Sequence, residues 1–246
     1  DFEAKPGGAN VSVPGKVGRS IELSGDDGVG VGAGNFKRSE PFSVAFWVQA
    51  PEEKERAVIF HRSRAWTDAG SRGYQLLIEN GQLSASLIHF WPGNAIRIRS
   101  RVSLPVKRWV HVGFTYDGSS RAAGLRLFID GQPAETYVVQ DQLAKNITGG
   151  GGDNITIGQR FRDRGFSGGR VDEFRVFSRR LAAIEIGHLF DGSSLRDLLR
   201  MPAGKLKPGE RELLQEYYLA TFDEVYLKQL QTVKELRQAG SSLVDP

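Results

Sequence analysis

Residues 108–139, RWVHVGFTYDGSSRAAGLRLFIDGQPAETYVV, decide how this chain folds. Val110, Val112, Phe114 and Tyr116 fall on alternate positions, as do Leu125, Leu127 and Ile129, which is the spacing of strands with one buried face. Two long strands and a third are implied. Asp117-Gly118 and Asp130-Gly131 tolerate the positive φ of tight turns, so the second and third strands should form a hairpin closed at Asp130-Gly131. The pattern is antiparallel.

Upstream, PFSVAFWVQAP alternates Phe42, Val44, Phe46 and Val48 between Pro41 and Pro51, prolines that a central ladder would reject. AVIFHRS, GYQLLIEN and QLSASLIHFW read as strands, the last two joined by a tight Asn80-Gly81 turn, and AIRIRSRV leads back to the opening stretch. GRSIELSGDDGVGVGAG reads as two short strands about a turn at Asp26-Asp27-Gly28, and residues 1–19 hold at most one edge strand. Downstream, a loop with Gly149 to Gly152 precedes NITIGQR, and GGRVDEFRVF closes the sheet. About a dozen short strands without a helical period predict an all-β fold, an antiparallel two-sheet sandwich over residues 1–192.

The period changes after Phe177. SRRLAAIEIGHLFDG predicts a short helix ended by Asp191-Gly192, Ser194 with Asp197 reads as a capping box for LRDLLRM, and Thr221 with Glu224 as a second for EVYLKQLQTVKELRQ. Residues 193–246 are thus a helical tail or a linker to a following domain. Leu227, Leu230, Val233 and Leu236 share one side of it, a stripe that must rest on the sandwich, a second copy or a neighbouring domain.

Hydrophobic content of 39% and aromatic content of 10% suffice for a core. The absence of cysteine excludes disulfides and thiol chemistry. No run approaches the length of a membrane span, and Asp1-Phe2-Glu3 shows neither an initiator Met nor a signal peptide, so a piece of a longer protein is expected, without membrane insertion. The net charge of +4 is uneven: residues 56–108 carry nine Lys/Arg against Asp68 and Glu79. No reading motif for nucleic acid accompanies the charge, so no nucleic-acid partner is expected, and Arg97, Arg99 and Arg101 read as the solvated face of one strand.

GRSIELSGDDGVGVG, PFSVAFWVQAP, RWVHVGFTYDG, LRLFIDGQPAE, ITIGQRF and FSGGRVDEFRVFSRRLAAIEI stand in the order typical of LamG-like jelly rolls of the concanavalin A-like superfamily, and the chain resembles that family over roughly residues 20–192. The resemblance implies a jelly roll used as a binding or adhesion module in exported proteins, hence an extracytoplasmic location. The middle of the chain and the tail also resemble the LamG-like segment of large exported bacterial proteins carrying c-type cytochrome domains. No Cys-x-x-Cys-His is present, so any haem would lie outside this chain.

Three loops combine aromatic and polar groups as a sugar site requires: Arg62, Arg64, Trp66 and Asp68 in the first, Trp91 and Asn94 in the second, Asn146 with its glycine run in the third; Arg97 and Gln159 stand beside them. The same tryptophans could instead fill the ends of the sandwich or meet a protein. Alternation turns Asp172 inward with Phe174 and Val176, where a carboxylate needs backbone N–H groups, an arginine or a cation. The resemblance suggests a structural calcium there, with Glu3, Asp26 and Asp27 as helpers. The pentraxin pattern is missing, because Arg160, Phe161 and Arg162 stand where its acidic run would be. No cofactor is required.

Jelly-roll glycoside hydrolases of the superfamily carry Glu-x-Asp on one strand, and no Glu-x-Asp occurs here, nor His-x-x-x-His or Gly-x-Ser-x-Gly. The expectation is a non-catalytic module that binds a glycan or another extracellular surface through its Arg/Trp loops. The rival is a docking domain using the tail. Exposed apolar area distinguishes them, at the loops for the first and on the tail for the second.

Overall fold

The computed structural model describes residues 8–65 and 72–244. Its strands are β1 (Val11–Pro14), β2 (Arg19–Glu22), β3 (Val29–Gly30), β4 (Phe42–Gln49), β5 (Arg56–Arg62), β6 (Gly73–Glu79), β7 (Gln82–Phe90), β8 (Asn94–Ser103), β9 (Val110–Tyr116), β10 (Leu125–Ile129), β11 (Gln132–Pro133), β12 (Thr136–Asp141), β13 (Thr156–Ile157) and β14 (Arg170–Phe177). The helices α1 (Ala183–Asp191), α2 (Ser194–Arg200), α3 (Pro208–Thr221) and α4 (Glu224–Val244) follow. Sheet 1 runs β1-β2-β14-β4-β9-β10-β11 and sheet 2 runs β12-β8-β7-β6-β5-β13-β3.

The stretch that opens the sequence argument holds the middle of sheet 1. β9 lies antiparallel between β4 and β10, and its Val110, Val112, Phe114 and Tyr116 are fully buried. Phe42 of β4 is stacked among Phe36 and Tyr74, each 4.6 Å away between ring centres, and Phe114 at 5.6 Å. Such a cluster joins the two sheets face to face, and emptying one of its rings costs about 3–5 kcal/mol.

The hairpin turns at Asn80-Gly81 and Asp130-Gly131 form. Asn80 and Gly81 have φ of 51° and 75°, Asp130 and Gly131 of 48° and 77°, the left-handed pair that matches the twist of a hairpin. The hairpin at Asp130-Gly131 is shorter than the sequence suggests. β11 contributes only Gln132 and Pro133 to sheet 1, and Thr136–Asp141 then pairs with β8 in sheet 2. The ladder reaches one residue past Pro133, where the Ala134 N–H donates to the Leu127 carbonyl at 2.9 Å, before the chain leaves sheet 1 and the predicted third strand changes sheet. β2 and β3 also belong to different sheets, and the turn at Asp26-Asp27-Gly28 is a corner between them.

Asp172 does not point inward. The β14–β4 register shifts between Asp172 and Arg175, with Glu173 at φ 50°, so Val171, Phe174 and Val176 reach the core while Asp172 lies opposite Trp47 on the outer side. The extra bulge residue defeats simple alternation.

α1 covers part of the outer face of sheet 1, where Leu181 and Ile186 meet Ala45 and Phe128. Gly113 permits this approach, since a Cβ there would lie 2.9 Å from Ile186 Cγ2. Gly192, at φ 72°, ends the helix. The two predicted capping boxes are displaced: Asp191 Oδ1 accepts from the N–H groups of Ser193 and Ser194, and Asp223 Oδ1 from that of Tyr226. α4 docks through polar groups. Ser39 Oγ donates to Gln238 Oε1 at 2.7 Å, Arg38 Nε to Ser241 Oγ at 3.0 Å, and Arg237 Nη1 to the Asp117 carbonyl at 2.8 Å. Its apolar stripe is left outward, with Leu236 68% exposed. Among the described residues no helix is long and apolar enough to cross a membrane.

Candidate functional site

The outer face of sheet 2 is polar yet largely buried. Leu76 and Ile78, Leu83, Ala85 and Leu87, and Ile96 and Ile98 enter the core, which turns Gln75 and Glu79, Ser84 and Ser86, and Arg97 and Arg99 to the other side. The register places Ser86 opposite both Gln75 and Arg97, and Glu79 opposite Arg56. The segment between β13 and β14 runs beside β5, where the Val58 N–H donates to the Arg164 carbonyl at 3.0 Å, and it adds Arg160 and Asp163.

Four guanidinium groups share two carboxylates. Glu79 accepts from Arg56 at 2.9 Å and from Arg99 at 2.7 Å, with Arg97 3.6 Å away. Asp163 accepts from Arg56 at 2.6 Å and from Arg160, which also donates to Gln75 Oε1. Arg97 Nε donates to Ser86 Oγ at 2.8 Å, and its guanidinium lies 3.7 Å from the centre of the Trp91 ring. The sequence expectation of a solvated Arg97 is therefore wrong: the side chain is 5% exposed because Trp91 and Glu79 enclose it.

Burial is the largest influence on Arg97. It draws Arg97 down to about 10, against the pull of Glu79 and with Arg56, Arg99 and Arg160 adding to the fall. For Glu79 and Asp163 burial acts upward, but the surrounding arginines outweigh it and hold both carboxyls below their ordinary range. Three donor groups on this face, Gln75 Nε2, Arg97 Nη2 and Arg99 Nε, are buried without a partner. A cleft of about 280 Å³ on this face is lined by Glu55, Arg56, Glu79, Asn80, Arg99 and Arg164, of which Arg99 carries one of these donors. Surplus positive charge and unused N–H groups suit a ligand rich in acceptor oxygens.

The other residues singled out in the sequence are dispersed. Arg62 is fully buried and donates to the Ile147 carbonyl and to Asn35 Oδ1, tying loops together at the rim. Asn94 Oδ1 accepts from the N–H groups of Ala144 and Lys145. The Asn146 carbonyl faces His89 Nδ1 at 2.6 Å, and the Gln159 carbonyl faces His61 Nε2 at 2.9 Å. Arg64 is exposed beside Gly151. Trp66, Asp68 and Glu3 lie outside the described residues. Asp172 accepts from the N–H groups of Val17 and Glu173, each at 2.8 Å, and Asp27 from that of Ala9, while the Asp26 N–H donates to Ser24 Oγ in the turn. Among the described residues no group of three or more His, Asp or Glu side chains could hold a metal ion.

Glu79, Arg56, Arg160, Asp163 and Gln75 were missed. Gln75 and Glu79 could have been placed with Arg97 by the alternation of Leu76 and Ile78. The reach of Arg160 and Asp163 across the strands has no local signal.

The fold and this face permit comparison with known proteins. A family model described as Laminin_G_3 of the concanavalin A-like lectin/glucanases superfamily matches residues 23–187. The chain belongs to this family. A search of curated proteins by sequence finds no match. Among solved structures, the Laminin_G_3 chain resembles the binding domain of Paraclostridial Mosquitocidal Protein 1, with TM-score 0.59 and 15% identity over 78% of this chain and 47% of that one. It also resembles the CBM40 of a Ruminococcus gnavus IT-sialidase, with TM-score 0.55 and 15% identity over 70% and 96% of the two chains. Domain 4 of AbnA, a GH43 extracellular arabinanase from Geobacillus stearothermophilus solved with arabinotriose, gives 0.50 and 18% over 75% and 82%. The chain thus spans about half, 47%, of the toxin binding domain.

Proposed function

We propose that this Laminin_G_3 chain is a non-catalytic, extracytoplasmic binding module that holds a glycan bearing acidic groups on the outer face of sheet 2. The observation that carries the reading is the surplus of four arginines over two carboxylates, with partnerless N–H donors on two of those arginines, Arg97 and Arg99, and on the neighbouring Gln75. Hydrolysis is disfavoured by the same chemistry. Glu79 and Asp163 are held ionised by arginines, and a general acid must keep its proton. The arabinotriose-bound domain and the CBM40 supply precedent for this fold meeting sugars. An array of acidic and neutral glycans probed with the folded chain is expected to retain acidic members over neutral ones of the same backbone. Equal retention, or none, would contradict the reading.

A second reading has its own observation. Among the described residues, exposed apolar side chains gather on the tail, with Val225 and Leu243 69% and 86% exposed, more than at the loops, where Phe90 and Phe161 stand out. That distribution favours an additional protein contact by α4.

A further inference from the structure

A second pocket lies on the opposite side of the molecule, on the outer face of sheet 1. It encloses about 260 Å³ between the β1–β2 turn, the bulge of β14 and the end of α1. Its floor is aromatic: Trp47 lies 5.2 Å from His111 and 5.5 Å from Phe190 between ring centres. His111 is 3% exposed, and its Nδ1 is buried without a hydrogen-bond partner. A protein interior rarely leaves such an atom unpaired unless something else meets it.

The charges at the rim are unequal in what they have to do. Glu173 is paired with Arg175, and Asp191 accepts from the N–H groups of Ser193 and Ser194. Lys16 instead has its ammonium 4.6 Å over the Trp47 ring and, among the described residues, no carboxylate partner. Lys16 is thus the cation at the mouth without an ion-pair partner, while the Asp191 carboxylate on the same rim is held by backbone N–H groups alone. Asp172 builds this mouth, because its carboxylate holds the N–H of Val17 in the turn and that of Glu173 in the bulge. Glu173 stands at φ 50° in that bulge.

We infer that this pocket binds a small carboxylate carrying an apolar ring, with the ring against Trp47, His111 and Phe190 and the carboxylate toward Lys16. The volume suits one ring rather than a polymer, and aromatic walls with one convergent cation fix a single orientation. The site is separate from the arginine face of sheet 2, and neither depends on the other.

Sodium benzoate and its neutral analogue benzyl alcohol test the inference by NMR titration of the whole chain. Benzoate is expected to bind saturably at one site and to shift the Trp47 indole and His111 imidazole signals. Lys16→Met, on an exposed turn where folding is not at risk, should weaken benzoate roughly tenfold, and benzyl alcohol should bind the wild-type chain more weakly by a similar factor. Absence of saturation, undiminished binding to Lys16→Met, or equal affinity for benzyl alcohol would each overturn it.

Discussion

Burying a guanidinium is tolerated only when its donors and charge are answered, and Arg97 shows how far this chain goes toward that limit. Trp91 covers one side of it, Ser86 and Glu79 answer part of it, and Nη2 is left over. The histidines obey the same rule in reverse. Burial, then the nearby Arg160, lowers His61 to about 4, and burial, reinforced by Arg175 against the pull of Asp130, lowers His111 to about 4. Both are neutral in the folded chain at pH 7, whereas the unfolded chain takes up protons near 6.5. Stability conferred by these neutral rings is complete above pH 6.5 and is lost as the pH falls toward 4. The denaturation midpoint is therefore expected to drop across that window, and replacing both histidines with Gln should flatten the dependence. A wild-type midpoint that stays constant from pH 7 to 4 would contradict the burial argument. Sequence made Arg97 and Trp91 visible as candidates because unusual residues stood near turns. It could not show that Arg62 and Asn94 bind loops, since their partners come from segments distant along the chain.

At the scale of elements, periodicity located the strands and failed where one residue broke the period. β4, β9 and β10 alternate cleanly and appear as expected, while the β14 bulge reversed Asp172 and the chain beyond Ala134 crossed into the other sheet. The helix caps moved because the carboxylates of Asp191 and Asp223 are the groups that reach the free N–H groups at the starts of α2 and α4. The tail is the clearest case of an element whose docking could not be read from its apolar stripe. The C-terminal half of α4 is fixed by Gln238, Ser241 and Arg237, and the stripe containing Leu227, Leu230 and Val233 is left partly open. Hydrogen exchange on the chain alone is expected to find the first turns of α4 weakly protected and the turn around Gln238 more so. Strong, uniform protection along the helix would mean that the stripe is already covered and would remove the case for a docking role.

Over the whole molecule, the two sheets press their aromatic inner faces together and are left with two dissimilar outer faces. Sheet 1 carries α1 and a ring-lined pocket, and sheet 2 carries the arginine cluster. The family and the sandwich were legible because they rest on many strands read together. The arginine face was not, because it needs four strands and one long segment in register at once. The most direct measurement of its role is a titration of the best-retained acidic glycan into the wild-type chain and into Arg99→Ala, with melting followed in parallel. Arg99 is partly exposed and Glu79 keeps Arg56 and Arg97, so the variant should fold normally and bind about tenfold more weakly. An unchanged affinity in a folded Arg99→Ala chain would place the ligand elsewhere and contradict the account.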